Sequence, residues 1–120
     1  MSQLLRLVEI MARLRTDCPW DAEQTHRSLV KHLIEETAEV VDAIEAGGSD
    51  RNILDDDLRE ELGDLLLQIY FHAEIASTQN RFGIEDVARD ICDKLGRRQP
   101  GVFDGGGDPG DMMGTREAAK

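Results

Sequence analysis

The sequence predicts an all-α fold built as a four-helix bundle. Apolar residues recur at intervals of three and four in four separate segments, and no segment alternates apolar with polar residues as a half-buried strand would. The punctuation agrees: Pro19, Gly47 with Gly48, Gly83 and Gly96 fall between or just after those segments.

The first helix is LLRLVEIMARL, with Leu4, Leu7, Met11 and Leu14 in its stripe and Arg6 and Arg13 outside it. Pro19 disfavours helix at Cys18, so TDCPWDAEQTH, which holds Trp20, reads as a structured loop. The second helix runs from about Ser28 to Ala46 on Leu33, Val40, Val41 and Ile44, and Gly47 and Gly48 stop it. The third begins in DDDLREELGD and ends near Ser77. There Asp57 and Glu60 have capping-box spacing, and an acidic first turn suits the positive end of the helix dipole. The fourth, IEDVARDICDKLG, carries Ile84, Val87, Ala88, Ile91 and Leu95 and is expected to stop at Gly96. One domain of residues 1–103 is expected, followed over 104–120 by a flexible tail rich in glycine and poor in apolar residues.

A length of 120 residues suits one domain with its own core. The net charge of −11 argues against nucleic acid as a partner, because a phosphate backbone is held by clustered Lys and Arg. It does not argue against a nucleotide, since a bound cation reverses the local sign. No apolar run approaches the ~20 residues that span a bilayer, and the polar, charged opening lacks a signal-peptide pattern, so no membrane is expected and the cytoplasm is the expected compartment. Cys18 and Cys92 form neither a CxxC pair nor a Cys/His set at zinc spacing, and both read as structural.

The acidity is concentrated: 12 of the 25 Asp and Glu residues lie between Glu35 and Asp64. Like charges three or four apart on a helix repel, so the concentration asks for a cause. Glu36 and Glu39 share one face of the second helix, and Glu61 and Asp64 have the same spacing on the third. If these helices pack antiparallel, as a short connection favours, the two pairs face each other, and four hard oxygen donors suit Mg²⁺ or Mn²⁺. Flanking Ile34, Ala38 and Val41, with Leu58, Leu62 and Leu65, are expected in the core, while Asp42, Glu45 and Glu60 face water. The alternative is that both runs are solvated helix faces, making the chain a non-catalytic acidic module for a divalent ion or a basic protein.

EETAE at Glu35 to Glu39, followed after 21 residues by ELGD at Glu61 to Asp64, resembles the EExxE and ExxD pattern of the all-α nucleoside triphosphate pyrophosphohydrolases, most closely the MazG proteins. CPWDAEQT, LLRLVEIMARLR and DKLGRRQPGVF extend the resemblance over roughly Leu4 to Phe103. It implies Mg²⁺-dependent cleavage of a nucleoside triphosphate between its α and β phosphates, giving the monophosphate and pyrophosphate. It also implies Glu36, Glu39, Glu61 and Asp64 as metal ligands. Hydrolysis at phosphorus needs neutralised phosphate oxygens and an aligned water, and carboxylate-bound cations supply both. Glu35 is then the candidate to orient or deprotonate the water. A narrower specificity, for dUTP or a modified nucleotide, is open. Where relatives often read RRHPHVF this chain reads RRQPGVF, and many continue into a further helix where this one turns glycine-rich.

Lys94, Arg97 and Arg98 cluster at the end of the fourth helix; they are either charges that suit the helix dipole or, as the resemblance implies, contacts to the triphosphate. Trp20 is a loop anchor or a stacking platform for the base. His26, His32 and His72 have no paired spacing and read as surface or packing residues. Finally, Leu65, Leu66, Leu67, Ile69, Tyr70, Phe71 and Ile75 exceed the single stripe that a helix needs on one side of a small bundle. With the resemblance, this surplus predicts a homodimer or higher homo-oligomer.

Overall fold

The computed structural model describes residues 2–103, which fold as helices and connections with no strand among them. The expected tail, 104–120, lies outside the described residues. The chain divides into two compact units, the first through Gly83 and the second from Ile84.

In the first unit, α1 (Gln3–Asp17) starts at Ser2, whose Oγ accepts from the Leu4 N–H at 3.1 Å. Cys18 is extended, as the following proline requires, and Pro19 opens a short helix, α2 (Pro19–Glu23), inside the segment expected to be a structured loop. Five residues are too few to hold a helix alone. Arg15 holds this one: its Nη1 donates to the carbonyls of Asp21, Ala22 and Gln24 at 2.6, 3.1 and 3.0 Å. Thr25 and Ser28 then exchange side-chain and backbone hydrogen bonds at 2.9 and 3.0 Å, turning the chain into α3 (Val30–Glu45).

Helix α3 ends where expected. Gly48 has φ 76°, the left-handed region, and a Cβ on Gly47 would lie 2.8 Å from the Asn52 carbonyl carbon, so the reversal needs both glycines. A 3₁₀ turn at Asp50–Asn52 leads to α4 (Asp55–Thr78), which packs along α3 as an antiparallel hairpin and also touches α1. Asp55, Asp56 and Asp57 fill the first turn of α4 as charge reasoning expects. The capping box does not form: the cap position belongs to Leu54, which has no side-chain acceptor, so the helix begins two residues before Asp57. At the other end Asn80 adopts φ 59°, and the Arg81 N–H reaches back to the Ala76 carbonyl at 3.0 Å, closing the helix without a glycine.

The core of the first unit contains Met11, Leu29, Phe71 and Ile75. Expectation fails on the flanks of the acidic residues. Ile34 is 64% exposed, Val41 47% and Leu62 47%; Ala38 is exposed too, while Leu58 and Leu65 are half-buried. Val30, Ile34, Thr37, Val41 and Ile44 follow one another at spacings of four and three and all face solvent, and Thr37 turns its hydroxyl back onto the Leu33 carbonyl at 2.8 Å. The apolar surplus was expected on the second half of α4. Instead Tyr70, Phe71 and Ile75 are buried and Leu65 to Leu67 half-buried, leaving Ile69 as the exposed one of that set.

The second unit holds α5 (Ile84–Arg98) and α6 (Pro100–Phe103). Gly96 does not stop α5, because it takes the ordinary helical φ, and the helix continues through Arg98. No helix of the described residues is long and apolar enough to cross a membrane.

Candidate metal centre

On α3 and its cap residue Leu29, the residues that lean inward are Leu29, His32, Leu33, Glu36, Val40 and Ala43, so Glu36 belongs to the line that faces α4. On α4, Glu61 and Asp64 lie one turn apart. The hairpin brings them together: one carboxylate oxygen from each of Glu36, Glu61 and Asp64 lies within 4.8 Å of the other two. Glu39 stands beside this group. The Glu61 carboxyl is pushed above the ordinary range first by desolvation, then by the charges of Glu39, Asp64, Glu60 and Glu36 in that order, so Glu39 is its strongest charged neighbour.

Among the described residues no ion pair relieves this repulsion: the pairs present are Arg13 with Asp17, His32 with Glu35, and Arg89 with Asp86. Converging oxygen donors without a basic partner fit a hard divalent cation, which would remove the repulsion that raises Glu61. Glu35, exposed, lies outside the trio with its carboxylate 3.8 Å from His32 Nδ1. Lys94, Arg97 and Arg98 occupy the last turns of α5 in the second unit, Lys94 and Arg98 half-buried and Arg97 exposed.

Trp20 is both an anchor and a free surface. Its ring meets His32 and Phe71 edge-on at centroid distances of 5.8 and 6.3 Å, yet the residue is 52% exposed. His32 is one turn before Glu36 and Phe71 two turns after Asp64, so the indole lies between one and two turns along the hairpin from the carboxylates.

Two of the histidines, though far apart in sequence, pack against each other. The Nδ1 atoms of His26 and His72 are 2.7 Å apart, with the rings parallel to within 6°. One ring donates and the other accepts, so the pair cannot carry two full charges. Burial first, and His26 second, lower the basicity of His72. A depressed base favours the neutral folded form. Its stability contribution is complete above the ordinary histidine pKa of about 6.5 and is lost as pH falls through that value toward the lower folded one. We therefore expect Tm to fall between pH 7.5 and 5.5, and to fall less in His72→Gln, measured by calorimetry. An equal fall in both would show that the pair is not responsible.

A helical hairpin that gathers acidic oxygens on its inner face, with no base among the described residues to neutralise them, defines an all-α protein whose centre can hold a metal ion. The chain belongs to the MazG family: the MazG nucleotide pyrophosphohydrolase domain matches residues 24–103. It is 48% identical to a nucleoside triphosphate pyrophosphohydrolase of Mycobacterium tuberculosis over 98% of this chain and 35% of that protein. Against the nucleoside triphosphate pyrophosphohydrolase of Escherichia coli K12, identity is 47% over 86% of this chain and 38% of the relative. Against the Thermotoga maritima nucleoside triphosphate pyrophosphohydrolase/pyrophosphatase MazG it is 50% over 87% and 38%. The chain thus spans little more than a third of the length of these relatives.

Proposed function

We propose that the chain hydrolyses nucleoside triphosphates between the α and β phosphates, releasing pyrophosphate, with Mg²⁺ held by Glu36, Glu39, Glu61 and Asp64 and Mn²⁺ as a substitute. The observation that carries this reading is the gathering of Glu36, Glu61 and Asp64 within 4.8 Å in a chain of this family. A bound cation would supply charge neutralisation on the phosphate oxygens and a more acidic water. The chain's own residues keep the site acidic, and Glu35, exposed outside the trio and beside His32, is the residue we assign to take the proton from water. Lys94, Arg97 and Arg98 are assigned to the triphosphate and Trp20 to the nucleoside. The cytoplasm, where nucleoside triphosphates and Mg²⁺ are abundant, is the proposed compartment, and residues 1–103 the working domain.

We also propose a homodimer, and the exposed stripe on α3 supports it. An apolar line at alternating spacings of four and three is the seam along which one helix packs against another.

The test is a panel of triphosphates assayed for both phosphate products. Pyrophosphate is expected as the first product, with turnover lost on chelation and restored by Mg²⁺. Orthophosphate as the first product would identify a different reaction, and a folded sample that turns over nothing would favour an acidic binding module.

A further inference from the structure

The acidic line on α4 does not stop at Asp64. Gln68 is the next residue on that face, about 6 Å along the axis. At roughly 100° per residue, Glu61, Asp64, Phe71 and His72 all project within about 60° of it. Gln68 is only 8% exposed, and its Oε1 is buried with no hydrogen-bond partner among the described residues. One turn further, His72 spends Nδ1 on His26 and leaves Nε2 buried and equally unpartnered.

An unmet buried polar atom destabilises a fold, so the Gln68 acceptor and the His72 ring nitrogen, one turn apart, ask for a reason. Packing gives none, since an apolar side chain of the same length would fill the position of Gln68 without the penalty. A ligand does. The carboxylamide holds an acceptor and donors in one plane, the pattern that complements the hydrogen-bonding edge of a nucleobase. Trp20, edge-on to Phe71 and half-exposed, offers an aromatic surface beside the same turn. Glu61 at the acidic end and Gln68 at the amide end are separated by about two helical turns, roughly 10 Å, a span suited to one nucleotide lying along this face of α4.

We propose that Gln68, with His72 beyond it, reads the base of the bound nucleotide, and that the base supplies the hydrogen bond Gln68 Oε1 lacks in the free protein. This rests on the hydrolase reading above. Gln68 is thereby a specificity residue, separate from the carboxylates that act on the phosphates.

The test compares nucleoside triphosphates with ribose 5-triphosphate, which has no base, in wild type and Gln68→Met. Methionine keeps the length and removes the polar atoms. The variant is expected to lose about tenfold in kcat/KM on nucleotides, chiefly through KM, and nothing on the base-free substrate. Tm of the free protein should rise by roughly 4 °C as the unmet acceptor disappears. Equal losses on both substrates, or a fall in Tm, would overturn the proposal. A measurement needing no variant stands beside these: a nucleoside monophosphate should raise the Tm of wild type more than ribose 5-phosphate does, and equal shifts would also overturn it. Wild type that hydrolyses no triphosphate strikes down the hydrolase reading and this inference with it. Hydrolysis combined with a base-blind Gln68→Met result strikes down this inference alone.

Discussion

Glu61→Gln is expected to lower kcat by roughly a hundredfold or more and, in the same protein, to raise Tm when metal is absent. The two effects share one cause. Glu61 is the point where desolvation and four like charges meet, so its ionised form is held at a cost until a cation arrives. The amide removes that cost and, with it, a charged oxygen from the set that includes Glu36 and Asp64. The thermal shift produced by Mg²⁺ in wild type should shrink in the variant for the same reason. Glu39→Gln should act in the same direction. Asp42→Asn, exposed and outside the trio, is the matched control and should change neither quantity appreciably. A Glu61→Gln enzyme with wild-type turnover would remove this carboxylate from the reaction.

Ile34→Glu is expected to convert the proposed dimer to a monomer at micromolar concentration. Ile34 is 64% exposed at the middle of the α3 stripe, between Val30 and Val41. Burying such a side chain contributes about 1.5 to 3 kcal/mol. A two-fold interface uses each residue twice, so losing both copies costs about 3 to 6 kcal/mol, or about 10² to 10⁴ in Kd, before the new charges repel. Light scattering reads the mass. Wild type that is fully active as a monomer at that concentration would end the dimer proposal and leave the metal centre untouched.

What the sequence made legible was whatever is carried by local periodicity and local charge. The α1, α3, α4 and α5 segments, the extended Cys18 before Pro19 and the glycine reversal after α3 all depend on neighbours within a turn or two. Glu36, Glu61 and Asp64 were legible together because a hairpin with a short connection has few registers, whereas Glu39, the other half of the α3 pair, falls beside that trio. The pairing of His26 with His72 was hidden, because 46 residues separate them and only the turn through Thr25 and Ser28 sets His26 against α4. Periodicity identified Ile34 and Val41 as apolar, but apolar character does not say whether the same chain or another copy covers it. The capping box misled for a related reason: spacing gives the pair, whereas the cap position is set by where the extended backbone at Leu54 ends.

The guanidinium of Arg15 gives the molecule an internal gauge. Because α2 is fastened to α1 through three carbonyls on one nitrogen, Trp20 takes its position from α1 rather than from its own short helix. It is also the chain's only indole, partly open to water and edge-on to His32 and Phe71. Any tilt of α1 therefore changes the solvation of a single fluorophore, and the emission colour of the unlabelled protein follows that motion.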